Sequence, residues 1–205
     1  MNFLAHTYLS GNNEDIIVGN FMGDYVKGRD YMNFPEQVKK GILLHRDIDS
    51  FTDTHLITRR NKLRVSPKYH KYAGIIIDIF YDHFLASLWD DYSDLPLQDF
   101  VNRTYDLLKR NYKVLPEAIK RWFPTFLENN WMMAYRKVEG IELVLERMSA
   151  NTSLPNHAGY AIEVLREQYS FFEEDFQEFF PLMVAFLEDK YEISINVERA
   201  NYPDF

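Results

Sequence analysis

The chain contains no cysteine among its 205 residues. It therefore has no disulfide framework, thiolate nucleophile or zinc-finger pattern, and any bound metal must take histidine and carboxylate ligands. Glycine and proline are scarce, with 8 of each, which disfavours a many-stranded β protein. No run reaches the roughly 18 uninterrupted apolar residues of a membrane span, and the start lacks the features of a secretion signal. We expect a cytoplasmic protein without a membrane partner.

Positive charge is also in deficit, with 23 Lys and Arg against 31 Asp and Glu, a net charge of −8 and a pI near 5.3. This balance argues against a general nucleic-acid binder, because such proteins neutralise phosphates with Lys and Arg. The deficit is uneven, since residues 1–72 carry a net charge of +3 and residues 73–205 a net charge of −11. The acidic second part is typical of solvated helix faces.

Aromatic residues are abundant, with 16 Phe, 14 Tyr and 3 Trp, and we expect large rings to fill a core between helices. Apolar residues recur mostly with helical periodicity. The predicted helical segments are 14–27, 36–53, 69–90, 97–112, 116–128, 130–149 and 155–190. The β-branched run at 74–80 resembles a buried strand, but it has no obvious partner before residues 192–197, so a helix is favoured. The sequence predicts one all-α bundle over residues 1–205, with an irregular tail from about residue 192.

Carboxylates and histidines that interrupt apolar runs are the first functional candidates. Asp78 and Asp82 lie four residues apart in a segment that otherwise resembles core, so they share one helix face. Two buried carboxylates repel each other and need a cation, a shared proton or a water-filled cleft, with salt bridges to Arg or Lys as the structural alternative. His83 follows directly but lies about 140° around the helix from Asp78.

A second cluster follows the same spacing, with His45, Asp49 and Asp53 at i, i+4 and i+8. Imidazole nitrogen and carboxylate oxygen can then point the same way, although a capping residue, an ion pair or a core histidine is the alternative for each residue alone. Near the N-terminus, His6 and Asp24 interrupt two further apolar segments. Together these residues form an inventory for Mn²⁺, Mg²⁺ or Fe²⁺ inside a helical bundle.

Other catalytic signatures are missing from the sequence. It has no G-x-S-x-G nucleophile elbow, P-loop or G-x-G-x-x-G motif, which leaves a metal-activated water as the expected nucleophile. A basic run from Arg59 to Lys71 contains six Lys and Arg and no acid. It is either a solvated helix face or a docking patch for an acidic macromolecule or phosphate.

The same residues resemble a known family, the acyl carrier protein phosphodiesterases. The resemblance extends over nearly the whole chain. It is weaker at Asn130-Trp131 with Tyr135 and at 147–149. Its specific motifs are MNFLAH at 1–6, GNFMGDYVKG at 19–28, HRDID with TD at 45–49 and 52–53, and DIFYDHFL at 78–85.

This resemblance implies a metal-dependent hydrolase, with a role in fatty acid biosynthesis, that removes 4′-phosphopantetheine from holo acyl carrier protein and leaves the apo carrier. It also implies a mostly helical, HD-domain-like fold with Mn²⁺ as the expected ion and Mg²⁺ or Fe²⁺ as alternatives. The chain departs from the ordinary HD pattern, because no His-Asp dipeptide occurs in it.

Matching motif positions imply roles for individual residues. His83 becomes a candidate acid for the leaving serine oxygen, and Arg46 a partner of a phosphate oxygen or of the carboxylates. The implied metal ligands are His6, Asp24, His45, Asp49, Asp78 and Asp82. The implied contacts to the acidic carrier protein are Arg59, Arg60, Lys62 and Arg64.

Two other functions are compatible with the same residues. An HD-like phosphohydrolase acting on a small phosphoester or nucleotide would use the metal site without a docking patch. A non-catalytic helical binding protein would hold its histidines and carboxylates in salt-bridge networks.

Overall fold

Helices form the regular structure throughout residues 1–195, the part of the chain that the computed structural model describes. The α-helices are α1 (Phe3–Tyr8), α2 (Glu14–Phe21), α3 (Glu36–Thr54), α4 (Leu56–Tyr69), α5 (Ala73–Ser87), α6 (Trp89–Tyr92), α7 (Leu97–Arg110), α8 (Glu117–Glu128), α9 (Trp131–Ala134), α10 (Val138–Asn151), α11 (Ala158–Glu167) and α12 (Tyr169–Tyr191). Short 3-10 helices span Gly23–Tyr25, Asp30–Asn33, His70–Tyr72 and Tyr112–Val114. No strand occurs among these residues, so the all-α prediction is confirmed.

The β-branched run at 74–80 lies inside α5 and is a helix, as predicted. Several predicted helices are shorter or interrupted. The first ends at Phe21 instead of residue 27, and the segment predicted at 69–90 begins as α5 only at Ala73, after a turn at His70, whose φ is +45°. Helix α4 was not among the predicted segments. The segment predicted at 155–190 divides into α11 and α12 at Gln168. Of the predicted tail, residues 192–195 are non-helical and residues 196–205 lie outside the described part.

Aromatic rings fill the core, as the composition predicts. Phe80 and Phe84 of α5 are fully buried, and Phe172 and Phe176 of α12 are buried against them. The centroids of Phe80 and Phe172 are 5.3 Å apart in an edge-on arrangement. These rings bury large apolar areas, and edge-on contacts add a specific geometry. No helix within residues 1–195 is both long and apolar enough to cross a bilayer.

Two glycines bring α2 and α3 into close contact. A Cβ atom at Gly19 would lie 2.1 Å from the carbonyl oxygen of Val38, and one at Gly41 would lie 2.2 Å from that of Ile16. Real Cβ atoms do not approach backbone oxygen so closely, so the crossing depends on both glycines. The crossing places the last turn of α2 directly beside the middle of α3, where the candidate site lies.

Candidate metal centre

Four segments converge on one group of polar side chains near the N-terminus. His6 comes from α1, Asn20 from α2, Asp24 from the 3-10 helix that follows, and His45 and Asp49 from α3. His6, Asn20 and His45 are buried, whereas the side chains of Asp24 and Asp49 are 73% and 40% exposed. We call these five residues the His/Asp cluster. Its histidines face the core and its carboxylates face solvent.

Asn20 fixes the orientation of both imidazole rings. Its Nδ2 donates to the carbonyl oxygen of His6 at 2.7 Å and to Oγ of Ser10 at 2.8 Å, so Oδ1 must face the opposite way. That oxygen lies 2.8 Å from Nδ1 of His6 and 3.2 Å from Nδ1 of His45. Because an amide oxygen only accepts, both rings carry a proton on Nδ1. Both Nε2 atoms are then left to face the carboxylates.

The two Nε2 atoms meet carboxylate oxygens at a common point. Nε2 of His6 is 3.2 Å from Oδ1 of Asp49, and Nε2 of His45 is 3.2 Å from Oδ2 of Asp49 and 3.3 Å from Oδ1 of Asp24. The two rings are stacked with centroids 4.1 Å apart. An unprotonated Nε2 presents a lone pair, which repels a carboxylate oxygen at this distance. The arrangement therefore requires a proton or a metal cation between the rings and the carboxylates.

The pKa directions show how strongly this point attracts positive charge. Burial disfavours the charged form of His45, but Asp24 and Asp49 outweigh it and raise the pKa of His45 to about 9. Burial would raise the pKa of Asp49, but its contacts with His45 and His6 hold it well below its usual range. Burial and the charge of His45 lower the pKa of His6. The cluster thus attracts a cation but leaves His6 neutral, the protonation state in which histidine binds metals.

The geometry fits a divalent ion. His6, His45 and Asp49 each offer a ligand atom within 4.8 Å of the others. Within residues 1–195, these three residues form the group of histidines and carboxylates that is close enough together to hold a metal ion. Nε2 of His45 is buried and makes no correctly oriented hydrogen bond, although two carboxylates lie close to it. Ligand atoms about 2.0–2.1 Å from an ion lie roughly 3 Å apart in an octahedron and roughly 3.3 Å apart in a tetrahedron. The observed separations of 3.2 to 3.3 Å match this range.

Gly23 allows His45 to occupy its place. A Cβ atom at this glycine would lie 2.3 Å from Cγ and 2.5 Å from Cβ of His45, so any side chain there would push the ring away. The tight turn after α2 thus brings Asp24 to Nε2 of His45 while leaving room for the ring. The motif at 19–28 includes Gly23, but this steric role could not be predicted from the sequence because it depends on a ring from another helix.

The structure brings together four of the six predicted ligands, His6, Asp24, His45 and Asp49, and places Asp78 and Asp82 elsewhere. Asp82 accepts backbone N–H groups from Asn2, Leu4 and Ala5 at 2.9, 2.8 and 3.3 Å. Oδ1 of Asp78 accepts from the amino group of Met1 at 2.7 Å. Burial raises the pKa of Asp78 and raises that of Asp82 to about 7. These carboxylates hold the segment that carries His6, and the structure does not bring them to the ligand atoms.

Both predicted catalytic side chains make hydrogen bonds to groups outside the His/Asp cluster. His83 is buried, with Nδ1 2.7 Å from the carbonyl oxygen of Tyr135 and Nε2 3.0 Å from the hydroxyl of Tyr169. Arg46 donates from Nη2 to the carbonyl oxygen of Val26 at 2.9 Å, and its guanidinium lies over the ring of Tyr31. This geometry gives no support to an acid role for His83 or to a carboxylate contact for Arg46.

The basic run lies on α4 as far as Tyr69, with Lys71 on the 3-10 helix that follows, and the four residues predicted to contact the carrier form two groups on α4. Arg60 is paired with Asp175 of α12, and Arg64 donates to the side chain of Gln168. Arg59 is exposed, and Lys62 donates to Asp53 at 2.5 Å. Arg60 and Arg64 therefore attach α4 to the start of α12.

One residue of the cluster, Asn20, was not predicted from the sequence. It lies inside the motif at 19–28, but its uncharged amide is less conspicuous there than the histidines and carboxylates. A signal was present, because an asparagine on an apolar helix face needs buried hydrogen-bond partners.

Comparisons with known proteins agree over most of the chain. A model of the family described as "Acyl carrier protein phosphodiesterase" matches residues 1–183. A relative named "Acyl carrier protein phosphodiesterase" from Pectobacterium atrosepticum is 29% identical over 185 residues, covering 90% of this chain and 96% of the relative. Relatives of the same name from Klebsiella pneumoniae subsp. pneumoniae and Shigella boydii serotype 18 are 29% identical over 194 residues and 31% identical over 189 residues. They cover 93% and 90% of this chain and 99% and 96% of the relatives. No solved structure matches, so the HD-domain likeness stays a prediction.

Proposed function

Because the chain belongs to the acyl carrier protein phosphodiesterase family, we propose that it hydrolyses the phosphodiester that joins 4′-phosphopantetheine to acyl carrier protein. The products are the apo carrier, with a free serine, and phosphopantetheine. The observation that carries this proposal is the convergence of Nε2 of His6, Nε2 of His45 and the carboxylate of Asp49 within reach of one ion. We propose Mn²⁺ as that ion, with Mg²⁺ or Fe²⁺ as alternatives.

The cluster's own residues prepare the site for an anionic diester. A bound divalent ion supplies positive charge for the phosphate oxygens and lowers the pKa of a coordinated water. His6, His45 and Asp49 would hold the ion, and Asp24 would join them from the exposed side. Without the ion, the two carboxylates would repel the phosphodiester. Asn20 accepts from Nδ1 of both imidazoles and so keeps each Nε2 free to bind the ion. Histidine ligands of metals usually have such a hydrogen-bond partner on the ring nitrogen that does not bind the metal.

We expect purified protein supplied with Mn²⁺ to lower the intact mass of holo acyl carrier protein by the mass of the phosphopantetheine group, measured by mass spectrometry. Excess chelator should abolish the change, and added Mn²⁺ should restore it, because water is a poor nucleophile towards an anionic diester without a cation. Free mononucleotides serve as comparison substrates. A carrier mass that stays constant, or faster hydrolysis of the nucleotides, would contradict the proposed substrate.

An exposed face of α4 is the proposed contact for the acidic carrier. Leu56 and Leu63 are 76% and 72% exposed and lie on one side of the helix with Arg59. Lys62, which is partly exposed, lies beside them. We call these four residues the α4 docking face. Exposed leucines beside cations fit a helix that presents both acidic and apolar groups. Arg60 and Arg64, the other two residues predicted to contact the carrier, are largely engaged with α12.

Replacing Arg59 with Glu is expected to raise the KM for holo carrier about tenfold and to leave kcat nearly unchanged, because a charge at the edge of an interface mainly affects association. The increase should shrink as salt concentration rises. Steady-state kinetics at two ionic strengths measure both effects. Lys109→Glu makes the same charge change at an exposed position of α7 and serves as the matched control. An equal KM increase in both variants would show that overall charge, rather than the α4 docking face, is responsible.

A further inference from the structure

A cavity of about 460 Å³ lies between α4 and the start of α5. Lys62, Leu63 and Ser66 line it from α4, and Gly74 and Ile75 line it from α5. Its volume lies in the range of small-molecule sites. The basic run accounts for only part of this wall, and the His/Asp cluster does not line it.

The cavity is connected to the cluster through α3. Asp53, which also lines the cavity, lies one helical turn beyond Asp49 on the same helix face. Asp78 also lines the cavity, and it accepts a hydrogen bond from the amino group of Met1. Met1, His6 and His45 together line a second, smaller cleft. The cavity and the cluster therefore both adjoin α3 and the Met1–Asp78 pair, so a linear group attached to a phosphate at the cluster would run along α3 to reach the cavity.

Most charges around the cavity are paired with each other, whereas Lys71, which also lines it, has its ammonium group 5.0 Å from the ring centroid of Tyr72. Nζ of Lys62 donates to Oδ1 of Asp53 at 2.5 Å, and Asp78 accepts from the amino group of Met1 at 2.7 Å. Leu63 and Ile75 add apolar surface, and Ser66 adds a hydroxyl. A wall of paired charges, apolar surface and hydrogen-bonding groups favours an uncharged ligand with amides and hydroxyls over a free anion.

We infer that this cavity binds the pantetheine part of the substrate while the phosphodiester lies at the His/Asp cluster. Pantetheine is a linear, uncharged chain with two amides and a hydroxyl, which is the ligand chemistry that the wall favours. The inference rests on the proposed function and adds a second recognition site, separate from the α4 docking face except for Lys62 and Leu63 at its rim. Recognition of this arm would distinguish holo carrier from other phosphodiesters.

Gly74 offers a way to fill the cavity without disturbing the cluster. A Cβ atom there would lie 3.4 Å from Cε of Lys62 and 3.9 Å from Oδ1 of Asp53, both ordinary van der Waals contacts with residues that line the cavity. The residue lies in α5, where replacing glycine by alanine or leucine favours the helix. Gly74→Ala leaves most of the space open, whereas Gly74→Leu occupies it.

We expect Gly74→Leu to lower kcat/KM for holo carrier at least tenfold, mainly through KM, and Gly74→Ala to stay close to the wild type. Both variants should hydrolyse bis(p-nitrophenyl) phosphate, a diester without the arm, at the wild-type rate. Titration calorimetry with free pantetheine should detect binding to the wild type and to Gly74→Ala but not to Gly74→Leu. Ser66→Leu, which fills the cavity from α4, should repeat the result if Gly74→Leu does not fold.

Wild-type kcat/KM for holo carrier in both cavity-filling variants would overturn the inference while leaving the proposed function intact. An equal loss of activity on both substrates would also overturn it, because the substitutions would then act through the cluster. Failure of the wild-type protein to change the carrier mass, with pantetheine still bound, would instead contradict the proposed function.

Discussion

Asp49→Asn is expected to reduce release of phosphopantetheine from holo carrier at least about a thousandfold, more than the 10–100-fold typical of losing a residue that only orients a ligand. The carboxylate of Asp49 is the one that contacts both rings, with Oδ1 at His6 and Oδ2 at His45. Asparagine preserves the size of the side chain but removes its charge and places an NH₂ group towards one Nε2. Intact-mass kinetics of the carrier and elemental analysis of the purified variant measure the loss of activity and of the ion.

Asp47→Asn is the matched control, because it makes the same change on the same helix two residues earlier. Asp47 contacts Lys190 and Tyr191 of α12, on another side of α3. Its loss should cost about 1 kcal/mol of stability or less and leave activity near the wild-type value. Wild-type activity in Asp49→Asn, or equal losses in the two variants, would contradict the assignment of Asp49 to the ion.

The comparison of Asp49 with Asp82 shows how far the site could be predicted from sequence. Both aspartates lie four residues after another candidate, His45 or Asp78, on a helix with many apolar residues, and spacing alone predicts a shared face in both cases. The structure confirms that His45 and Asp49 share a helix face, with Nε2 of His45 3.2 Å from Oδ2 of Asp49. Spacing does not reveal which groups arrive from the rest of the chain. Two imidazoles reach Asp49, whereas the unpaired N–H groups at the start of a helix reach Asp82.

The fold shows the same division between local and distant information. Helical periodicity predicted the α-helical class and even α5, despite its β-branched run. It did not predict the break at His70 or the close crossing at Gly19 and Gly41, because both depend on contacts between helices. Asn20 was missed for that reason also, since its role depends on two rings from different helices meeting one amide oxygen.

Asp82→Ala tests the distinction between a metal ligand and a helix cap, and we expect a large loss of stability. The first N–H groups of a helix have no partner within it, and the carboxylate of Asp82 accepts those of Leu4 and Ala5 together with that of Asn2. Leaving these three donors unpaired, of which those of Leu4 and Ala5 are buried, costs about 3–6 kcal/mol. For a chain of this size, thermal unfolding should then shift down by roughly 10–20 °C.

The capping role also predicts how the other substitutions behave. Asp82→Asn keeps an acceptor oxygen and should lose less stability than Asp82→Ala, and Asp99→Ala, at an exposed position in the first turn of α7, should shift unfolding by only about 1–3 °C. Below its unfolding temperature, Asp82→Ala should still bind the ion, because His45 and Asp49 of α3 stay in place and only the anchoring of His6 is weakened. Wild-type thermal stability combined with complete loss of the ion would contradict the cap and make Asp82 a ligand after all.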